Sequence, residues 1–180
     1  MQLQRWLDIA GGAGGPLFFL PAMAAVAIAI LVDDGFPLFF RQERLGAGRR
    51  PFTILKFRSM RGGRVTRVGR VLRSTGLDEL PQFVNVLRGE MSAVGPRPLT
   101  AADTARLGWD GSCYDDRFAV PPGLTGLAQV VGAQASRSSL FLDRRYIARQ
   151  SIWLDARLIA LSFAVNAFGK QRVREFIRRP

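Results

Sequence analysis

The sequence contains no histidine and only one cysteine, Cys113, among its 180 residues. The absence of histidine removes the commonest general base and the commonest zinc ligand, so acid–base or nucleophilic chemistry falls to carboxylates, Lys, Tyr and Ser/Thr. A single cysteine excludes an intrachain disulfide framework and therefore permits a reducing compartment. Acidic residues are also scarce, since 14 Asp and Glu stand against 26 Lys and Arg, for a formal net charge of +12. This excess suits nucleic acid, anionic lipid headgroups or phosphorylated substrates, and charge alone does not choose among them.

Charged residues are missing from Ile9 to Val32. As an ideal helix this run would be about 36 Å long, enough to cross a hydrocarbon core of roughly 30 Å. Four glycines weaken its first third, and Pro21 removes a helix hydrogen bond. The pattern therefore predicts a kinked apolar helix over residues 17–32, re-entrant or interfacial rather than a straight span. A cleavable signal peptide and a buried core helix are the alternatives.

Arginine dominates the stretch from Arg41 to Arg73, where eleven Lys and Arg stand against one acid, Glu43. Six of the arginines recur at every third position from Arg58 onwards. On an α-helix such a step drifts by about 60° each time, so these arginines would form a spiral rather than a stripe. A solvated surface and contact with phosphate or lipid both fit this pattern.

Two adjacent carboxylates, Asp78 and Glu79, follow this basic stretch. Leu80, Val84 and Leu87 recur at helical spacing, which predicts a helix that begins near Leu77. Acids in a first helical turn are common in ordinary helices. At that position the macrodipole would favour the ionised forms, able to attack a phosphate or bind a metal. Adjacent helical positions point about 100° apart, so we expect the two carboxylates to have different roles.

The rest of the chain alternates short strands and helices. The patterns predict strands at 37–40, 52–58 and 124–130, a turn at 46–50, and helices at 100–106, 141–149 and 152–168. Arg97 stands between two prolines that fix the backbone on either side, a way to present a guanidinium rigidly to a phosphate. Basic residues after 168 indicate that the last helix lies at a membrane surface with a basic tail over anionic lipid.

Several of these motifs, in this order, resemble the bacterial sugar transferase family, the monotopic polyprenyl-phosphate phosphoglycosyl transferases. The likeness runs from about Arg5 to Phe168. It is carried by Pro37 to Gln42 with Arg44 and Gly46, Lys56 to Met60, Thr66 to Arg70, Leu77 to Gln82 with Asn85 to Leu87, Met91-Ser92, Val94 to Pro98, Pro122 to Val130, and Trp153 to Asp155.

The resemblance implies an enzyme that moves a sugar 1-phosphate from a UDP-sugar to undecaprenyl phosphate and releases UMP, as the first membrane step of a bacterial glycoconjugate pathway such as exopolysaccharide synthesis. Asp78 would be the nucleophile that forms a covalent phosphosugar intermediate, and Glu79 would assist it. Mg²⁺ is the expected cofactor, with Asp78 as its ligand. The implied phosphate-binding residues are Lys56, Arg58, Arg73 and Arg97, and the implied nucleotide or sugar pocket consists of Pro98, Thr125, Gln129 and Arg137.

The resemblance also implies an α+β fold with short strands and amphipathic interfacial helices. We expect a re-entrant membrane helix in residues 1–34, a catalytic domain in 35–168 and a basic tail in 169–180. Pro21 would mark the kink, and Arg5 would lie near the lipid headgroups. The expected location is the cytoplasmic face of the bacterial inner membrane, in a monotopic arrangement. The expected partners are the UDP-sugar, undecaprenyl phosphate and membrane lipid, without nucleic acid; a homo-oligomer stays open.

The chain departs from the family pattern at three positions. Gly76 replaces the usual serine before Leu77, and Leu20 replaces the serine that often precedes the kink proline. Ala133-Gln134 stands where many members carry an arginine, and Arg137 is the candidate substitute. A basic, membrane-anchored protein that binds nucleic acid or lipid without catalysis is the alternative function. It explains the charge, but aromatic residues are not interleaved with the arginines as a base-stacking surface requires.

Overall fold

The computed structural model describes residues 19–133 and 136–168 as a mixture of helices and short strands, which confirms the α+β class. The helices are α1 (residues 19–34), α2 (Arg67–Thr75), α3 (Phe83–Arg88), α4 (Ala101–Leu107), α5 (Leu127–Val131), α6 (Ser136–Ala148) and α7 (Ile152–Phe168). The strands are β1 (Phe39–Leu45), β2 (Pro51–Phe57), β3 (Met60–Arg61), β4 (Arg64–Val65), β5 (Ser92–Val94) and β6 (Gly123–Thr125). Short 3₁₀ segments lie at Ala47–Arg49, Leu77–Gln82 and Ser112–Phe118.

The chain divides into two compact units. The first comprises Met1–Gln42 and Thr53–Arg88, and the second comprises Glu43–Phe52 and Gly89–Pro180. The strands pair as β1 with β2, β3 with β4, and β5 with β6. The expected division into 1–34, 35–168 and 169–180 stays a prediction.

The core of the first unit joins α1 to the elements that carry the two carboxylates. Val26 and Ile30 of α1 are buried together with Phe57, Leu72 and Leu80. Phe19, Met23 and Ala27 pack against the same cluster. These five α1 positions follow the three- and four-residue spacing of one helix face. Burial of this face fixes α1 against β2, α2 and the segment around Leu80.

The threefold arginine repeat is divided between two different elements. Arg61 and Arg64 are paired across the β3–β4 hairpin, whereas Arg67, Arg70 and Arg73 lie on α2. Thr66 begins α2 as its N-cap, and its side-chain oxygen accepts a hydrogen bond from the Gly69 amide at 2.9 Å. The single arginine spiral predicted from the spacing is therefore wrong, because the chain turns between Arg64 and Arg67.

The second unit is built on the parallel pair β5–β6. Residues of this pair come so close that a Cβ on Gly123 would lie 2.0 Å from the Gly95 nitrogen, so only glycine fits there. Val94 belongs to a buried cluster with Val130, Tyr146, Leu158 and Val165. The α7 helix thus supplies part of this core, including the buried Leu158 and Val165, while exposing Trp153 and Phe163.

The structure confirms the strand predicted at 52–58 and the helices predicted at 100–106, 141–149 and 152–168. Helix α4 begins with a capping box, in which Thr100 and Asp103 each accept a hydrogen bond from the other's amide. One prediction is wrong, because Leu127–Val131 is helical rather than extended and β6 ends at Thr125. The strand predicted at 37–40 is confirmed with a later start, since β1 begins at Phe39.

The expected membrane insertion is only partly covered by the described residues. Pro21 lies within the helical residues 19–34 and is exposed. Among residues 19–133 and 136–168, every helix is too short or too polar to cross a bilayer. Arg5, Gln134 and the tail 169–180 lie outside the described residues, so the re-entrant geometry and the basic tail stay predictions.

Candidate active site

The two carboxylates lie on a 3₁₀ segment, Leu77–Gln82, rather than at the start of the predicted α-helix. Helix α2 ends immediately before it at Gly76, whose φ of 75° is in the left-handed region that favours glycine. Gly76 both ends α2 and precedes the 3₁₀ segment, and its left-handed backbone favours glycine over the serine of the family pattern. The 3₁₀ segment contains Pro81 and is followed directly by α3 at Phe83.

Glu79 is paired with Lys56 of β2. The Lys56 ammonium donates to Glu79 Oε1 at 2.6 Å, and the two side chains are 22% and 44% exposed. Residues 23 positions apart in the sequence are thus brought together beside Asp78. The positive charge of Lys56 offsets the negative charge of Glu79, and the contact holds the Glu79 carboxylate in one orientation.

Asp78 is the carboxyl group whose ionisation the surroundings oppose. Burial raises the pKa of Asp78, and repulsion from Glu79 raises it further. Lys56, a backbone hydrogen bond and Arg73 act in the opposite direction. The net direction of the pKa change for Asp78 is opposite to the one expected for a carboxylate at a helix N-terminus, because burial and Glu79 outweigh the favourable contacts. Partial burial leaves the Asp78 carboxylate with fewer water contacts, and an oxygen nucleophile with a weaker hydration shell is more reactive.

Asn85 fixes the strand that carries Lys56. Its side-chain oxygen accepts from the Leu55 amide at 3.1 Å, and its amide donates to the Thr53 carbonyl at 2.8 Å. A buried side chain thus completes the hydrogen bonding of β2 on the stretch just before Lys56. The sequence gives only a weak signal for this role, a single polar residue within the apolar run of α3.

Gln82 is a second residue near the carboxylates whose role the sequence does not show. Its side chain is only 2% exposed, and its Nε2 has no hydrogen-bond partner within the described residues. An unsatisfied buried donor costs about 1–3 kcal/mol. The segment that carries Asp78 and Glu79 therefore contains a buried hydrogen-bond donor that is available to a new acceptor.

Arg58 lies at the carbonyl end of α1, and its predicted phosphate-binding role stays a prediction. Its side chain is 8% exposed, and its two terminal nitrogens donate to the carbonyl oxygens of Asp34, Gly35 and Phe36 at 2.7–3.2 Å. The guanidinium also forms an ion pair with the Asp34 carboxylate at 2.8 Å. A cation at the last carbonyls of a helix stabilises that helix end. Because both terminal nitrogens are engaged, this geometry does not support a substrate role for Arg58.

Arg73 is exposed in the last turn of α2, where its Nη1 lies 3.2 Å from Met60 Sδ. Its charge acts on Asp78, lowering the pKa of that carboxyl. Arg73 therefore retains donors that face solvent on the side of the first unit that carries Asp78. In the first unit the structure thus groups Asp78, Glu79, Lys56 and Arg73, and it separates Arg58 from them.

The remaining candidate residues belong to the second unit. Arg97 is exposed, while Pro98 is buried and its carbonyl accepts from Arg44 at 3.2 Å. The Arg97 carbonyl accepts from Arg117 at 2.9 Å, and Arg117 is itself buried in an ion pair with Asp143 at 2.9 Å. These contacts hold the backbone around Arg97 and leave its guanidinium exposed.

The predicted pocket residues of the second unit differ in their surroundings. Thr125 is buried in β6, and Gln129 on α5 has a buried Oε1 without a hydrogen-bond partner in the described part of the chain. Arg137 is exposed on α6. An unpartnered acceptor on Gln129 fits a residue that binds a donor group of a ligand, and the assignments of Thr125, Gln129 and Arg137 stay predictions.

The carboxylates of the first unit fit a magnesium ion by their chemistry. Mg²⁺ prefers oxygen ligands and is commonly held by one or two carboxylates together with substrate phosphates, so a cluster of protein ligands is not required. The described residues hold no group of three or more metal-binding side chains. Asp78, which forms no ion pair in the described structure, would be the more available ligand for such an ion, because Glu79 is engaged by Lys56.

Comparison with known proteins establishes the class of this chain as a sugar transferase. Residues 1–169 match the sequence profile of the family described as "Bacterial sugar transferase", and the chain belongs to that family. This confirms the resemblance read from the motifs.

Three relatives show what the chain is similar to. It is 40% identical over 177 residues to the UDP-glucose:undecaprenyl-phosphate glucose-1-phosphate transferase of Caulobacter vibrioides, a match that covers 87% of this chain and 66% of that protein. It is 38% identical to the UDP-N-acetylgalactosamine-undecaprenyl-phosphate N-acetylgalactosaminephosphotransferase of Aeromonas hydrophila, over 87% of this chain and 42% of the relative. It is 36% identical to the UDP-glucose:undecaprenyl-phosphate glucose-1-phosphate transferase of Escherichia coli K12, over 81% of this chain and 36% of the relative. The chain thus spans between about one third and two thirds of the length of these relatives.

Proposed function

We propose that this protein transfers a sugar 1-phosphate from a UDP-sugar to undecaprenyl phosphate and releases UMP. The observation that carries the proposal is the group formed by Asp78, Glu79 and Lys56 in a chain that belongs to the bacterial sugar transferase family. The activities of the named relatives support the substrate classes. A nucleic-acid-binding protein without catalysis explains neither the family membership nor the paired carboxylates.

The proposed reaction has two displacements at one phosphorus atom. In the first, an Asp78 carboxylate oxygen attacks the β-phosphorus of the UDP-sugar, and the bond to the bridging oxygen breaks so that UMP leaves with the electron pair. In the second, a phosphate oxygen of undecaprenyl phosphate attacks the same phosphorus and displaces the Asp78 carboxylate. Splitting one difficult displacement into two easier ones is the general advantage of a covalent intermediate.

The side chains around Asp78 would serve this chemistry by position and charge. Lys56 Nζ donates to Glu79 Oε1 at 2.6 Å, which holds the second carboxylate away from the Asp78 nucleophile. Lys56 and Arg73 lower the pKa of Asp78 against the effect of burial, which keeps more of the nucleophile ionised. When bound at Asp78, Mg²⁺ would supply positive charge to the phosphoryl oxygens. Arg97 remains a proposed phosphate-binding residue of the second unit.

The test is a half-reaction that needs no acceptor. With radiolabelled UMP, the UDP-sugar and Mg²⁺, a covalent intermediate predicts exchange of label into the UDP-sugar in the absence of undecaprenyl phosphate. Asp78→Asn should abolish both exchange and net transfer. Full turnover by this variant would refute the assignment of the nucleophile.

The proposed location is the cytoplasmic face of the inner membrane, with a re-entrant N-terminal helix. Residues before Ile9 and after Val32 would then lie on the same side of the membrane. In a Cys113→Ser background, a single cysteine placed at residue 2 should resist a membrane-impermeant maleimide in intact cells and react after lysis. Labelling of that cysteine from outside would contradict the re-entrant arrangement.

A further inference from the structure

An open groove of about 440 Å³ lies in the first unit where the chain leaves α1. It is lined by Phe36, Pro37, Leu38, Phe39 and Arg41. The lining is therefore apolar except for one guanidinium. Phe39 and Arg41 lie on the same face of β1, since alternate strand residues point the same way, while Phe40 points to the other face. Phe39 is supported from behind by Phe57, at a ring distance of 5.4 Å.

Exposed apolar side chains continue from α1 to this groove. Ile28, Val32 and Phe36 are 61%, 84% and 72% exposed and follow one another at intervals of four residues. Large exposed apolar surfaces mark sites of ligand or membrane contact. A long, linear apolar chain lying along α1 and ending in the groove would cover these side chains.

The groove shares its supporting core with the proposed nucleophile's segment. Leu38, which lines the groove, packs against the cluster that contains Leu80. Leu77 packs against the same cluster, so both residues that flank Asp78 and Glu79 in the sequence are anchored there. A ligand held in the groove is therefore held by the same packed unit that positions the carboxylates.

We propose that this groove is the acceptor subsite, which binds the first isoprene units of a polyprenyl phosphate while Arg41 pairs with its phosphate. The inference rests on the proposed function. The single cation suits an amphiphile with a long apolar chain and an anionic end, and Arg41 is exposed and forms no ion pair among the described residues. Of the two proposed substrates, only the polyprenyl phosphate has that composition, since a UDP-sugar is polar throughout.

Steady-state kinetics separate this subsite from the donor half-reaction. In a ping-pong reaction, kcat/KM for each substrate reports only its own half-reaction. Phe36→Gln and Arg41→Gln should each lower kcat/KM for undecaprenyl phosphate by about fivefold, the effect of losing part of an apolar contact or one exposed charge pair. The kcat/KM for the UDP-sugar and the rate of UMP exchange should not change.

Two exposed residues of the first unit outside the groove provide matched controls. Phe40→Gln removes the neighbouring phenylalanine, and Arg88→Gln removes one exposed positive charge at the end of α3. Both should leave kcat/KM for undecaprenyl phosphate unchanged. If the groove variants behave like these controls, or if the controls lose as much acceptor efficiency as the groove variants, the subsite is not where we place it.

Photocrosslinking tests the occupant directly, without relying on turnover. A polyprenyl phosphate that carries a diazirine near its phosphate end should label residues 36–41 of the full chain in nanodiscs, and excess undecaprenyl phosphate should suppress the labelling. Suppression to the same extent by phosphatidylglycerol would show a general lipid site and overturn the proposal, as would labelling confined to other residues. Absence of both UMP exchange and net transfer in the wild-type protein would refute the proposed function, while the labelling pattern would still decide the occupant of the groove.

Discussion

Replacement of Lys56 by glutamine is expected to reduce catalysis far more than stability. Lys56 and Glu79 form a partly exposed pair, and such pairs contribute only about 0.2–1 kcal/mol to folding. For a chain of 180 residues this corresponds to a fall in Tm of about 1–4 °C. Removal of one positioned donor that stabilises transition-state charge typically costs about 10²–10³ in rate, or roughly 2.7–4 kcal/mol, and a loss of this order is expected if Lys56 also faces the transferring phosphoryl group. The activation free energy therefore rises by more than the free energy of unfolding falls.

The same substitution should also change the pH dependence of the donor half-reaction. Lys56 lowers the pKa of Asp78, so its removal leaves burial and Glu79 less opposed and raises that pKa further. A nucleophilic carboxylate must be deprotonated, and the acidic limb of kcat/KM for the UDP-sugar should consequently move to higher pH. Lys56→Gln and the control Arg88→Gln are to be compared by UMP release from pH 4 to pH 8. An acidic limb that does not move, or a rate loss shared by the control, would refute the electrostatic role of Lys56.

Three further substitutions test separate parts of the account. Gly76→Ala should destabilise the protein by about 1–2 kcal/mol in urea unfolding, because φ at this position is 75°; unchanged stability would show that the backbone adapts. Asp78→Asn should raise Tm slightly at pH 7 while abolishing exchange. Its pKa is raised on folding, so the stability from the neutral acid is fully present below the ordinary value of 3.8 and is lost as pH rises through the folded pKa; a lower Tm at pH 7 would contradict this sign. Arg117→Met should cost about 3–5 kcal/mol by leaving Asp143 buried without its partner, and the double variant with Asp143→Leu should recover much of it if the charge is the cause.

The elements that local patterns specify were predictable from the sequence. The strand β2 follows its β-branched and aromatic content, and α4 follows its capping residues, because these signals act over a few neighbours. The segment after β6 was not predictable in this way. Its residues 127–131 have an apolar content that suits a strand, but β5 offers a partner only as far as Thr125. The chain then turns at Gly126 into α5.

The candidate site was predictable in composition but not in arrangement. The motifs singled out Asp78, Glu79, Lys56 and Arg58 together, and nothing in their spacing distinguishes the two cations. The distinction comes from tertiary structure, since Lys56 faces Glu79 whereas Arg58 faces the carbonyl end of α1. The role of Asn85 was also not predictable, because it depends on contact with a strand 30 residues earlier in the chain.

Mass spectrometry of the intact protein tests the central claim most directly. The full chain is mixed with a UDP-sugar and Mg²⁺ without acceptor, the reaction is quenched in acid, and the mass of the intact protein is measured. We predict a mass increase equal to one sugar 1-phosphate less one water, mapped to the peptide that contains Asp78, absent from Asp78→Asn and discharged by undecaprenyl phosphate. Transfer that proceeds without any such adduct, or an adduct that persists in Asp78→Asn, would contradict the account.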